Sequence, residues 1–311
     1  MFEQLLTITA KVGPVPIQQR NWSAVSAFGG TSLQASGVMY NGKAYLFGGR
    51  VGLSATGRYT AFVFDGTNYS GIASLPVPLI LATSVLVDDK IYILGGCYSL
   101  SNGQENRDMY VYDPALNTYT TVGTMPFSSL SGGSCRVGDY IYVYGGLVNQ
   151  SEAGTHPKQF YRYNLTTKTW ESLPYHDGLS LYAVQIFEYN GKIYTFSGEQ
   201  NSGGVRDSAM RMFDPDTLTW TTIAPPTPVP SGRGIIGFKY GDGFVIMGGR
   251  LTNNSPTSEV WYYKVDQNQW IKCRDFIAPV AFQVVLCDGE RVFSFDGFSG
   301  SSAYSGIYKL T

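Results

Sequence analysis

Charge is scarce in this sequence. Only 14% of its 311 residues are charged, and 22 basic against 23 acidic side chains leave a net charge of −1. No broad field of one sign therefore draws the chain to nucleic acid or to an anionic membrane. Histidine is scarcer still: two residues, too few to suggest an imidazole metal centre. Cys97, Cys135, Cys273 and Cys287 show no CxxC spacing and read as buried free thiols. No apolar run approaches the roughly 20 residues of a membrane-spanning helix. The opening stretch Met1–Lys11 lacks the basic start of a secretory leader. The expectation is a cytoplasmic or virion protein with no signal peptide, no membrane insertion and no nucleic-acid partner.

Glycine and tyrosine, by contrast, are abundant at 37 and 23 residues, and 43% of the chain is hydrophobic. That composition belongs to a folded, glycine-punctuated all-β protein and not to a disordered one. The glycines are periodic. A short apolar run ending in two small residues recurs at Ala44–Gly49, Ile91–Gly96, Ile141–Gly146, Ile193–Gly198, Phe244–Gly249 and Arg291–Gly297. The second small residues are 47, 50, 52, 51 and 48 positions apart. Aromatic residues give a second register at Trp22, Tyr69, Tyr119, Trp170, Trp220 and Trp270, with steps of 47, 50, 51, 50 and 50. Further apolar runs precede each small pair, and aromatic runs such as Tyr110–Asp113 and Tyr161–Asn164 follow it. Each unit thus holds four short strands, a to d. Tight Asn-Gly and Asp-Gly turns, among them Asn41-Gly42, Asn190-Gly191 and Asp288-Gly289, join a to b.

A strand ending in Gly-Gly, an aromatic strand ending in Asp, and an aromatic residue six positions later resemble the Kelch repeat. The resemblance covers about residues 21 to 311, with departures at Ser197-Gly198, Asp296-Gly297, Tyr69 and Tyr119. It implies an all-β, six-bladed β-propeller of four-stranded antiparallel blades around a central channel. Trp22 precedes the first small pair, and the last unit stops after its third strand at Ile307–Thr311. The N-terminal strand Asn21–Val25 is therefore expected to complete the C-terminal blade. Residues 21–311 form one propeller domain, and residues 1–20 an extension in which Phe2–Thr9 docks on a neighbour or across the propeller.

In an up-and-down blade the a–b and c–d turns emerge on one face, and the b–c and d–a connections on the other. Here the second set is long and varied, so it is the expected binding surface. That face carries Arg50, Arg58, Arg107, Arg206, Arg233 and Arg250, with Tyr98, Tyr175, His176 and Tyr304. Arginine and tyrosine combine contact area with directed donors, as recognition surfaces require. Arg50, Arg233 and Arg250 should lie nearest the channel mouth. In Kelch relatives this face commonly carries protein recognition, so the resemblance points the same way.

Enzyme signatures are thin. His156 and His176 alone do not make a copper-radical centre, no sialidase box occurs, and no Ser-His-Asp arrangement, Walker loop or dinucleotide fingerprint is readable. No catalytic residue, metal ligand or cofactor is assigned. The leading expectation is a non-catalytic propeller that binds other protein chains as part of a larger assembly. The low charge and the Gly, Ser, Thr, Asn and Tyr content liken it to virion and phage-tail β-proteins. The alternative is a carbohydrate-binding or sugar-isomerising propeller of the sialic-acid mutarotase kind, in which Glu199 and Arg233 would be recruited and glycans would be partners.

Overall fold

The computed structural model describes residues 16–26, 33–101, 104–148, 157–178, 180–200, 205–223, 232–251, 253–300, 302–303 and 305–311. His156, Tyr304 and the docking expectation for Phe2–Thr9 lie outside them. Six four-stranded antiparallel sheets form the blades of a propeller. Blade 1 comprises Ser36–Tyr40, Lys43–Phe47, Ala61–Phe64 and Tyr69–Gly71, and blade 2 Ile80–Val87, Lys90–Cys97, Asp108–Asp113 and Thr118–Thr124. Blade 3 is built from Gly133–Val137, Tyr140–Tyr144, Phe160–Asn164 and Trp170–Ser172. Gln185–Tyr189, Lys192–Phe196, Met210–Asp214 and Thr219–Ile223 make blade 4, and Ile236–Tyr240, Gly243–Met247, Val260–Lys264 and Gln269–Lys272 make blade 5. Blade 6 runs Val284–Cys287, Val292–Phe295 and Ile307–Leu310, and its outermost strand is Trp22–Ser26 from the other end of the chain. Among the described residues no helix is long and apolar enough to cross a membrane.

The expected closure is observed. Trp22 pairs with Leu310, Ser23 with Lys309 and Ala24 with Tyr308. Asn21 and Thr311 exchange both backbone hydrogen bonds, each at 2.8 Å. The packing of the segment begins earlier still: Ile17, in a short 3-10 turn, is buried in the core between blades 5 and 6 together with Trp22.

Hairpin turns follow their residue types. Asn41 and Gly42 take φ of 47° and 72°, and Asn190 and Gly191 take 49° and 74°, the paired left-handed geometry of a two-residue turn whose twist matches the strands. At c–d turns the side chain ending strand c caps the turn. Asp113 accepts from the amides of Ala115 and Leu116, and Asn164 from those of Thr166 and Thr167.

Six apolar clusters bury the strand faces, one between each pair of neighbouring blades. The periodic tryptophans belong to them: Trp270 is buried, and Trp170 and Trp220 pack half-buried against Phe127 and Phe160. Tyr69 departs from this register and is 41% exposed, because strand d of blade 1 is only three residues long and wholly exposed.

Candidate functional site

Two sequence registers build the channel mouth on the long-loop face. One is the residue after each small pair: Arg50, Cys97, Leu147, Glu199, Arg250 and Phe298. The other lies one step before the channel-lining residue of each blade: Leu33, Ile80, Leu130, Tyr182, Arg233 and Ala281. The two pair antiparallel within every blade, as Leu33 with Arg50, Tyr182 with Glu199, Arg233 with Arg250 and Ala281 with Phe298. The same backbone position is thus apolar in blades 2 and 3, where Ile80, Cys97 and Leu130 pack together, and charged or aromatic in blades 4, 5, 6 and 1.

The charged sector holds a cup of about 170 Å³ lined by Leu33, Gln34, Arg50, Leu53, Arg233, Arg250, Phe282 and Phe298. Phe282 lies under two guanidiniums, Arg233 at 5.5 Å and Arg250 at 5.8 Å from its ring centre, and Arg250 also sits 4.3 Å over Phe298. Such stacking fixes the direction of a cation while leaving its edge donors free. Arg233 Nε is 3.5 Å from Glu199 Oε2, and Arg233 Nη1 donates to Tyr182 Oη at 3.4 Å. Arg250 Nη2 donates to the Gly300 carbonyl at 3.2 Å, and Arg50 Nη1 to that of Ser54 at 3.3 Å. Burial lowers the pKa of Arg50. Burial also lowers that of Arg250, helped by the neighbouring charges of Arg233 and Arg206. Three cations line one partly desolvated space, Arg233 and Arg250 sharing the Phe282 ring, with a carboxylate, Glu199, beside Arg233.

The remaining candidates are distributed differently. Arg206 points sideways, donating to the Leu251 carbonyl and to Asn254 Oδ1, so it staples the loop of blade 4 to that of blade 5. Arg58 lies by Phe62, and its backbone bridges to Leu79 at the junction of blades 1 and 2. Arg107 is exposed, and its carbonyl accepts from Met125. His176 is not presented to the surface as the sequence suggests, and Tyr175 is half-buried. His176 is 5% exposed, and the two residues pack on Tyr144 in the core between blades 3 and 4. Phe282, Phe298 and Leu53 are the lining residues that the search for cations overlooks. Phe298 stands in the register of Arg50 and Arg250, which is the signal that finds it.

His176 has a defined proton. The Gly178 amide donates to Nδ1 at 2.8 Å, so Nε2 carries the hydrogen and donates to Tyr144 Oη. Burial, with the Arg211 charge behind it, pushes the His176 pKa down to about 4 from 6.5. Arg211 is itself paired with Asp207 at 2.6 Å. A base held neutral in the fold contributes stability that is fully present above pH 6.5 and lost as pH falls to about 4. The loss through this group reaches about 3 kcal/mol at most. Urea midpoints measured from pH 7 to pH 4 should show it, and the variant His176→Gln should lack that part of the slope. An unchanged slope would remove His176 as its source.

Among the described residues, no group of three or more His, Cys, Asp or Glu is placed to hold a metal. Cys97, Cys135 and Cys273 are buried free thiols, and Cys287 is partly buried.

Comparisons with known proteins agree with the architecture. The sequence pattern described as the Kelch motif matches residues 79–126 and 131–175, essentially blades 2 and 3. Kelch-like protein terF of Aspergillus terreus is 29% identical over 238 residues, covering 71% of this chain and 50% of that protein. Kelch-like protein 25 of Xenopus tropicalis is 27% identical, covering 74% and 38%. Kelch domain-containing protein 3 of Homo sapiens is 23% identical, covering 70% and 61%. The chain therefore spans about half the length of the curated relatives it matches. The solved structure of YjhT superposes with a TM-score of 0.78 at 17% identity, over 93% of this chain and 99% of that one, a likeness of fold.

Proposed function

Since the chain is a six-bladed propeller built of Kelch repeats, we propose that it is a binding protein whose arginine cup receives an acidic segment of a partner chain. The observation that carries this is the convergence of Arg50, Arg233 and Arg250 around stacked Phe282 and Phe298. Bringing like charges together and burying them costs free energy that the fold does not require, since blades 2 and 3 close their mouth positions with apolar residues. An incoming carboxylate relieves both terms and takes the guanidinium donors. Val51 and Leu53, 53% and 59% exposed on the adjoining loop, supply an apolar rim for the neighbouring residues of the partner. The partner is defined by this chemistry, an acidic stretch with apolar neighbours, and not by an assembly. None of the relatives named above is described as a virion or phage protein.

The test is an array of acidic, neutral and basic peptides probed with the intact protein. Acidic peptides should be retained, with affinity that falls as salt is raised. Arg250→Ala should weaken the best of them about 10- to 100-fold, the usual range for a charge-assisted hydrogen bond. Equal retention of neutral peptides, or an unaffected Arg250→Ala, rejects the reading.

A sugar-directed function is favoured by one observation. Glu199 is 7% exposed, and its Oε2 has the 3.5 Å Arg233 contact but no hydrogen bond, as an acid/base group at the mouth would need. If this second reading holds, the protein speeds anomer exchange of sialic acid followed by NMR, and Glu199→Gln does not.

A further inference from the structure

The three guanidiniums that line the cup are tethered alike. Each commits one terminal nitrogen to a fixed acceptor: Arg50 Nη1 to the Ser54 carbonyl, Arg233 Nη1 to Tyr182 Oη and Arg250 Nη2 to the Gly300 carbonyl. The other terminal nitrogen of each is Nη2 in Arg50 and Arg233 and Nη1 in Arg250. None of these three donates to a described residue, and none is sealed from solvent. The Phe282 ring that Arg233 and Arg250 share is itself pinned. It lies against Gly234 of the neighbouring blade, where an added Cβ would stand 2.7 Å from two of its ring carbons. The Phe282 amide donates to the Gly234 carbonyl at 3.0 Å. Tethers and a fixed ring orient the free donors before any ligand arrives.

Charge and room then define the ligand. Among the described residues, the carboxylate in contact with these guanidiniums is Glu199, 3.5 Å from Arg233. Three guanidiniums against one carboxylate leave two positive charges uncompensated. Arg206 adds to the field at Arg250 without lining the cup. A side-chain carboxylate from a partner cancels one of those charges and offers two acceptor oxygens. A phosphate monoester carries about −1.5 to −2 at pH 7 and offers three. The cup of about 170 Å³ has room for a phosphate group, at about 30 Å³ for each water-sized atom. Leu33, Leu53 and Phe298 line the same space and can meet the apolar parts of the chain that carries it.

We propose that the cup reads phosphorylation: the acidic residue it takes from the partner chain is a phosphoserine or phosphothreonine, whose three terminal oxygens meet the free donors of Arg50, Arg233 and Arg250. This deepens the cup reading of the preceding subsection and rests on it. Capped pentapeptides Leu-Ala-X-Ala-Leu, with phosphoserine, glutamate or serine at X, separate the two claims. Inorganic phosphate is a further probe. Dissociation constants come from protein-observed NMR titration of the intact chain at pH 7.5 and pH 5.5.

At pH 7.5 the phosphoserine peptide should bind about tenfold tighter than the glutamate peptide, and glutamate about tenfold tighter than serine. Inorganic phosphate should bind more weakly than the phosphoserine peptide. At pH 5.5 the phosphoserine peptide should lose about fourfold, because its second ionisation lies near pH 6, while the glutamate peptide, still mostly ionised, keeps its affinity. Arg50→Gln should bring phosphoserine and glutamate to within about threefold of each other. Equal binding of those two peptides by the native chain overturns the phosphate assignment and spares the cup. A phosphoserine preference that is unchanged at pH 5.5, or that survives Arg50→Gln, overturns it too. Inorganic phosphate binding as tightly as the phosphoserine peptide makes the cup a site for the free ion and ends the proposal. Failure of every probe to bind sinks the cup and the phosphate assignment together.

Discussion

A chain that begins at residue 27 should unfold at least about 10 °C below the full chain, with a stronger tendency to self-associate. The truncation strips strand d from blade 6 and leaves Ile307–Leu310 as a bare edge. It also removes Trp22, which packs edge-on to Phe276 at 4.9 Å, and Ile17 from the same cluster. Loss of a buried tryptophan alone costs about 3–5 kcal/mol. The ladder hydrogen bonds add about 0.5–1.5 kcal/mol each, less the chain entropy regained. Against a total stability of about 5–15 kcal/mol this is a large fraction. At the unfolding entropy of a chain this long, each kcal/mol corresponds to about 2 °C. The exposed edge is a template for pairing between molecules. Circular dichroism and size-exclusion profiles of the two chains read both effects, and coincident melts would refute the closure.

The same closure predicts its own rescue. Asn21 and Thr311 form a hydrogen-bonded antiparallel pair, so a tight Asn-Gly turn from Thr311 into Asn21 would continue strand c into strand d without moving either. A permuted chain running 27–311, Asn-Gly, 21–26 should recover most of the lost midpoint. What it fails to recover measures the contribution of residues 1–20, among which Ile17 is buried and Arg20 donates to the Glu290 carbonyl.

The architecture was legible because it is written twice in the sequence, once in small pairs and once in aromatics, and the offset between the two registers reveals the closing strand. The cup was legible in part. Arg50 and Arg250 follow their Gly pairs directly, so the repeat places them at the mouth. Phe298 occupies the same register, but an aromatic there reads as core until Arg250 is seen stacked on it. His176 and Arg206 misdirect for a common reason: their surroundings come from segments distant in the chain, on both flanking blades for His176 and on the next blade for Arg206. His176 is buried by Tyr144 and Trp220, and Arg206 is drawn to Leu251 and Asn254. No pattern within either residue's own segment encodes those contacts.

Gly248→Ala should destabilise the protein by about 3 kcal/mol or more, whereas Gly191→Ala should cost only about 1 kcal/mol. Both glycines have left-handed φ, 63° and 74°, so both carry the steric penalty of a Cβ in that region, about 1–2 kcal/mol. They differ in what the added carbon meets. At Gly191 nothing lies within 4 Å. At Gly248 the carbon would sit 2.3 Å from the Val280 carbonyl oxygen, which belongs to the next blade and accepts the Gly249 amide at 2.8 Å. Relieving the clash means parting blades 5 and 6 and losing that bond. Gly48, Gly95 and Gly145 stand in the same relation to Leu79, Ser129 and Leu181, with contacts of 2.4, 2.4 and 2.5 Å. The small pair of each repeat is therefore an inter-blade contact and not merely a turn. Blade 4 supports the argument by its departure. Ser197 occupies the first position there, its hydroxyl donates to the Gly232 carbonyl at 2.6 Å, and the facing residue across the interface has itself become glycine. Urea midpoints of the two alanine variants decide the matter: equal losses would leave backbone conformation as the whole reason for the pair and remove blade contact as its cause.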